Sequence, residues 1–143
     1  MNVLSSAADI RDEFDFLDDW EARYAHIIDL GKSAPPLAED EKIETNRVRG
    51  CASQVWMVTD IDESGVMTIR ADSDAMIVSG LIALLVRLFS GTKAEDINGF
   101  DAAGFLEEIG VANALSAQRA NGLSSMLDRI KREARAHLTA AAR

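Results

Sequence analysis

The stretch SQVWMVTDIDESGVMTIRAD, residues 53–72, contains two runs of strand-forming residues on either side of a short polar connection. The runs SQVWMVTDI and VMTIRAD are rich in Val, Ile, Thr and Trp, which favour an extended backbone. The connection DESG ends in Gly65, and glycine is common in the tight turns that join paired strands. This pattern predicts an antiparallel β-hairpin in the middle of the chain.

The segments before the hairpin carry mainly helical patterns. Residues 5–32 predict a short helix followed by a longer one, which Asp18 or Asp19 caps at its start. Gly31 is expected to end the second helix, because glycine readily adopts the left-handed conformation that follows many helices. Residues 44–48 are expected to add an edge strand next to the hairpin.

The segments after the hairpin predict further helices. Residues 75–89 are apolar on nearly every side, so they predict a central buried helix, with Asp74 as its cap. The remaining elements are a short turn or helix at residues 92–97, a helix capped by Asp101 and stopped at Gly110, and a last helix capped by Ser116. This order predicts a single α+β domain, residues 1–143, with helices packed on one face of a small antiparallel β-sheet.

The charge balance restricts the classes of partner. The chain has 143 residues, of which 15 are basic and 24 acidic, and its net charge is −9. Proteins that bind DNA or RNA concentrate positive charge, so we expect no nucleic-acid partner, whereas an acidic surface suits docking onto a complementary protein. The longest apolar segment, residues 75–86, is too short to span a bilayer, and residues 1–14 are too acidic for a targeting peptide. We therefore expect a cytoplasmic protein that does not associate with membranes.

Cys51 is the only cysteine of the chain and lies in the segment NRVRGCASQVWM, residues 46–57. One cysteine excludes an internal disulfide, a four-cysteine metal site and a Cys-x-x-Cys redox pair. In an extended backbone Arg47 and Arg49 point to the same side as Cys51, where their charges would lower the thiol pKa. Gly50 allows a sharp bend beside the thiol. A lone cysteine is also commonly an inert buried side chain, here of a non-catalytic interaction module, and the local pattern leaves both interpretations open.

The two histidines bear on a further alternative, a cysteine hydrolase. Such an enzyme needs a general base near its nucleophile, and His26 and His137 are the only imidazole groups in the chain. Both fall in predicted helices, the first amphipathic and the second basic, which gives a hydrolase little support. The acidic clusters match no calcium loop or metalloprotease pattern, and glycine-rich nucleotide-binding motifs are absent. We expect neither a bound metal nor a cofactor.

Four segments of the chain form a recognisable series. They are FDFLDDWEARYAHIIDLGK (residues 14–32), NRVRGCASQVWM (46–57), ADSDAMIVSGLIALLVRLFSG (71–91) and LSAQRANGLSSMLDRIK (115–131). Together and in this order they resemble the SufE family of cysteine desulfuration proteins, with its close relative CsdE. The resemblance implies a fold like that of the IscU scaffolds. It also implies that the chain activates a PLP-dependent cysteine desulfurase of the SufS or CsdA type and passes the sulfur to an iron–sulfur scaffold of the SufBCD type.

The resemblance also assigns roles to side chains near the thiol. It makes Cys51 the persulfide-forming acceptor of sulfur. Arg119 is expected to support the loop or the thiolate, the alternative being a salt bridge on the helix surface. Arg49 is expected to give electrostatic support or to form part of a docking surface, and Ser53 and Gln54 to hydrogen-bond the loop. One cysteine can carry sulfur but cannot by itself hold a cluster with thiolates. We expect a carrier that is a monomer or a homodimer and has no autonomous turnover.

Overall fold

The computed structural model describes residues 2–141, which form six α-helices and three β-strands. The helices are α1 (Val3–Asp15), α2 (Trp20–Ser33), α3 (Met76–Phe89), α4 (Ala94–Gly99), α5 (Ala102–Glu108) and α6 (Ala117–Ala141). The strands are β1 (Val55–Ile61), β2 (Val66–Ser73) and β3 (Thr92–Lys93), and short 3-10 turns occupy Glu39–Glu41, Glu44–Asn46 and Ala112–Ala114. The first helix, expected to be short, is nearly as long as the second. No helix among these residues is both long enough and apolar enough to cross a membrane.

The three strands form one antiparallel sheet in the order β1–β2–β3. The register pairs Val55 with Ser73 at one end of the hairpin and Ile61 with Met67 at the other. The predicted hairpin is therefore confirmed, with Gly65 in the left-handed conformation (φ 86°) at its turn. The third strand was not predicted, because two residues carry no readable alternation and their extended form depends on pairing with β2.

The apolar core lies against one face of the sheet. Alternate residues of β1 and β2 are buried there, namely Val55, Met57, Met67, Ile69 and Ala71. Helix α3, apolar on most of its surface, covers this face and packs against α2 on its other side. The opposite face carries partly exposed side chains such as Trp56 and Val58. The α+β fold with helices on one face of a small sheet is confirmed.

Helices α2 and α3 approach each other closely at two glycines. A Cβ on Gly31 would lie 2.6 Å from the backbone nitrogen of Gly80, and a Cβ on Gly80 would overlap the carbonyl oxygen of Ile27. The prediction that Gly31 ends α2 is wrong, since the helix continues to Ser33 and stops before Pro35. Gly31 instead provides the space for the helix contact.

Several caps act as predicted, and one does not. Asp19 accepts a hydrogen bond from Ala22 N–H at 2.8 Å, Asp101 accepts one from Gly104 N–H at 3.0 Å, and Ser116 Oγ accepts one from Arg119 N–H at 3.3 Å. Asp74 does not cap α3, whose preceding residue, Ala75, also provides no side-chain cap. The Asp74 carboxylate instead accepts a hydrogen bond from the Gln54 N–H at 3.1 Å, across the end of the hairpin.

The expected edge strand at residues 44–48 is also wrong in most of its length. Glu44–Asn46 forms a 3-10 turn, and only Arg47 makes an antiparallel bridge, to Trp56. The chain therefore leaves the sheet after one paired residue, which allows it to turn towards Cys51.

We predict that Gly80→Ala lowers the free energy of unfolding by about 1–3 kcal/mol or more, because the new methyl group must push α2 away from α3. Urea unfolding followed by circular dichroism measures the change. Gly99→Ala is the matched control, because a Cβ there meets nothing within 4 Å. Equal stability of the two variants would show that the glycine contact does not constrain the helix packing.

Candidate functional site

Cys51 lies in a short loop that extends from the start of β1. We call residues 49–54 the Cys loop. Its base is closed by the hydrogen bond that Val48 N–H donates to the Val55 carbonyl at 2.9 Å, next to the bridge between Arg47 and Trp56. Both contacts continue the sheet pairing of β1, so the hairpin holds the two ends of the loop.

The middle of the Cys loop rests on α6. The Cys51 thiol donates a weak hydrogen bond to the Gly122 carbonyl, with Sγ 3.5 Å from the oxygen. Gly50 has a φ of 87°, and a Cβ at this position would overlap Ser125 Oγ. The left-handed backbone conformation therefore favours glycine at residue 50, and a Cβ there would also displace the Ser125 hydroxyl. The predicted bend at Gly50 is present.

Two side chains hold the ends of the loop. Arg129 of α6 donates hydrogen bonds to the carbonyl of Arg47 at 3.3 Å and to that of Thr45 at 3.5 Å. On the other side, Asp74 binds the backbone N–H of Gln54. The expected contribution of Gln54 is thus made by its backbone. These anchors leave Cys51 between two fixed points, in contact with α6.

A cavity of about 200 Å³ adjoins the thiol. Its walls are apolar side chains of two helices, Val78 and Leu81 from α3 and Leu123 and Met126 from α6. Its polar lining comes from Ser53, Gln118 and Arg119. The thiol therefore faces a space that is lined by apolar and polar groups in similar measure and is partly open to solvent.

Burial raises the pKa of the half-buried Cys51 thiol above its ordinary value, because the anion loses hydration, and the nearby Arg47 charge opposes this rise only in part. The predicted lowering of the thiol pKa by two arginines is therefore wrong for this conformation. Arg49 is exposed and pairs with Glu44, and Arg47 is the arginine whose charge acts on the sulfur.

Arg119 lies in the first turn of α6. Its side chain lines the same cavity as Cys51, and its Nη1 donates a hydrogen bond to the Tyr24 hydroxyl at 3.4 Å. It forms no salt bridge within residues 2–141. Two further residues at the site, Gly122 and Arg129, were not predicted. A glycine inside a helical pattern is a signal of close approach, but nothing local to Arg129 indicates partners some 80 positions earlier in the chain.

The two histidines do not accompany the thiol. His26 Nε2 lies 2.6 Å from a carboxylate oxygen of Glu13. His137 lies beside Gly65, at the far end of β1 from the Cys loop, and the seven residues of this strand span about 20 Å. Neither lines the thiol cavity, so a cysteine hydrolase lacks its general base in this conformation. Across residues 2–141, no group of three or more His, Cys, Asp or Glu side chains is arranged to bind a metal ion.

The fold has a solved counterpart. The solution structure of a hypothetical protein from Thermus thermophilus superimposes with a TM-score of 0.76, covering 94% of this chain and 96% of that chain. The sequence identity of the pair is 21%, so this likeness concerns the fold.

The sequence has nearer relatives. An uncharacterized SufE-like protein from Rhizobium etli is 46% identical over 140 residues, which is 96% of this chain and 95% of that protein. A second such protein, from Rhizobium meliloti, is also 46% identical and is matched over its whole length. The family described as SufE, Fe-S metabolism associated domain, matches residues 8–134. The chain therefore belongs to the SufE family, and this membership implies a role in iron–sulfur metabolism.

Proposed function

We propose that this protein accepts a sulfur atom on Cys51 from a PLP-dependent cysteine desulfurase, activates that enzyme, and passes the sulfur to an iron–sulfur assembly scaffold. The observation that carries the proposal is the position of the only cysteine, in a short anchored loop beside a cavity of about 200 Å³. Membership of the SufE family supports a partner in iron–sulfur metabolism. The pyridoxal phosphate belongs to the desulfurase, and this chain contributes the thiol.

The proposed transfer is a thiol exchange that balances without an added oxidant or reductant. The Cys51 thiolate attacks the outer sulfur of a persulfide on the desulfurase cysteine. A new S–S bond forms at Cys51, the S–S bond of the donor breaks, and the donor cysteine leaves as a thiolate. The transferred sulfur keeps its oxidation state, so the carrier needs neither a metal nor a second cysteine. Repetition of the exchange with an acceptor thiol, in a scaffold of the SufBCD type, would release the sulfur.

The resting site favours protection of the sulfur over reactivity. Burial favours the neutral thiol of Cys51, which is a poor nucleophile, and the cavity beside it provides apolar side chains of α3 and α6 on part of its wall. In the proposed cycle the Cys loop leaves α6 when a partner docks. Exposure then removes the desolvation cost, and the Arg47 charge favours the thiolate. The thiol would thus become reactive where its partner is bound, and the cavity would shelter the persulfide afterwards.

We predict that incubation with a cognate PLP-dependent cysteine desulfurase and cysteine adds the mass of one or more sulfur atoms to this protein. Intact mass spectrometry under non-reducing conditions measures the gain. Treatment with dithiothreitol should remove it, because a persulfide is cleaved by thiols.

Cys51→Ser is the control and should gain no sulfur, since the hydroxyl cannot form a stable persulfide. If the wild-type protein gains no mass beside a desulfurase that is turning over cysteine, the proposed function is wrong.

We also predict a difference in the pH dependence of Cys51 alkylation. The alkylation rate should rise with pH in both the folded protein and the urea-unfolded chain, and the rise should occur at higher pH in the folded protein. The sign follows from burial, which leaves a smaller thiolate fraction at any given pH. Iodoacetamide labelling followed by mass spectrometry gives both curves.

Two substitutions make this labelling experiment specific. Arg47→Gln should displace the folded curve further upward, because it removes the charge that favours the thiolate. Lys93→Gln, on β3, removes the same charge away from the Cys loop and should leave the curve in place. A folded wild-type curve at or below that of the unfolded chain would contradict the burial of the thiol.

A further inference from the structure

The side of the molecule that carries the Cys loop differs in charge from the rest. The whole chain has 15 basic and 24 acidic residues, but α6 has five basic and two acidic ones. Because α6 also supports the Cys loop, the loop rests on a helix with net positive charge in an otherwise acidic protein. Such an asymmetry orients an approaching partner before contact.

A groove of about 310 Å³ lies between the chain before the Cys loop and α6. We call it the basic groove. It is lined by Thr45, Val48, Arg49, Ser125, Arg129, Arg132 and Glu133. The groove adjoins the thiol site, since Ser125 is the side chain against which Gly50 packs.

The charges of the basic groove are only partly compensated. Glu44 pairs with Arg49, and Glu133 lies 3.5 Å from the Nε of Arg129. Arg132 is exposed, and within residues 2–141 it has no ion-pair partner. With three arginines and two glutamates, the groove and its edge keep a positive charge that is available to an incoming carboxylate.

We propose that the basic groove docks an acidic segment of the desulfurase that delivers sulfur to Cys51, an inference that rests on the proposed function. Carboxylates complement the guanidinium groups, and the groove places such a segment beside Gly50, the residue that precedes Cys51. The net charge of −9 repels a nucleic acid at long range, which favours a short acidic protein segment over a polyanion. Arg129 connects the groove with the Cys loop, because its guanidinium donates hydrogen bonds to the carbonyls of Arg47 and Thr45. A carboxylate bound in the groove would compete with these two carbonyls for the guanidinium.

The test compares two charge reversals of equal size. Arg132→Glu reverses the exposed charge of the groove, whereas Lys93→Glu reverses an exposed charge on β3, at the end of the sheet where Val66 begins β2. At low ionic strength we expect Arg132→Glu to raise the dissociation constant for a cognate cysteine desulfurase about ten-fold, and Lys93→Glu to have little effect. Isothermal titration calorimetry measures both, and the difference should shrink between about 0.01 M and 0.15 M salt, as the Debye length falls from about 30 to about 8 Å. Arg132→Gln should give an intermediate value.

A second measurement separates docking from thiol chemistry. Inorganic polysulfide loads Cys51 without a protein donor, because the thiolate attacks an S–S bond and a shortened polysulfide leaves. We expect wild type, Arg132→Glu and Lys93→Glu to reach the same final extent of loading, as measured by intact mass, although the anionic polysulfide can react at different rates with the three proteins. Loss of loading in Arg132→Glu would contradict a role confined to docking.

Three results would overturn the docking proposal while leaving the proposed function intact. One is an unchanged desulfurase affinity of Arg132→Glu at low salt, and another is an equal loss in Lys93→Glu. The third is that the wild-type protein binds a DNA duplex, and that Arg132→Glu abolishes this DNA binding but leaves the affinity for the desulfurase unchanged. By contrast, the proposed function itself would be refuted if polysulfide loads the wild-type protein with sulfur and an active desulfurase does not.

Discussion

The apolar face of the β1–β2 hairpin has to be covered, and the rest of the structure follows from the way α3 covers it. Burial of this face is the main source of stability that a small sheet can offer, and α3 is apolar on enough of its surface to pack against both the sheet and α2. The approach of α2 then depends on Gly31 and Gly80. The Cys loop is the direct continuation of β1, so the position of the thiol is set by the sheet and completed by α6.

At the thiol, burial and charge act in opposite directions, and burial prevails in the resting conformation. Arg47 favours the thiolate, but loss of hydration raises the pKa of Cys51 further than this charge lowers it. This order of effects would suit the proposed sulfur carrier, because a neutral thiol that is half-buried against α6 is protected between encounters. Reactivity would then depend on a partner that draws the loop away from α6. Protection of the thiol and its release by a partner both involve α6, since this helix holds the Cys loop and also lines the basic groove.

The sequence predictions were correct where the interacting residues are close together in the chain, and wrong where they are far apart in it. Asp19, Asp101 and Ser116 bind backbone groups three residues away, so their capping was readable from the local sequence. Asp74 and Gly31 have the same local signals, but their partners are remote: Gln54 lies 20 residues away, and α3 belongs to another part of the chain. In both cases a tertiary contact replaced the local role.

The sequence by itself determined the family, the α+β order of elements and the presence of a single cysteine. These depend on the identities of residues and on patterns along the chain, and four ordered segments with a single cysteine are enough to define them. Only the tertiary structure decided the state of the thiol, the cavity beside it and the anchoring of its loop by Arg129. The pKa of Cys51 depends on which atoms exclude water around the sulfur, and those atoms come from α3 and α6, remote from it in sequence. The local sequence shows the arginine charge that lowers the pKa of Cys51, but it does not show the burial that raises it.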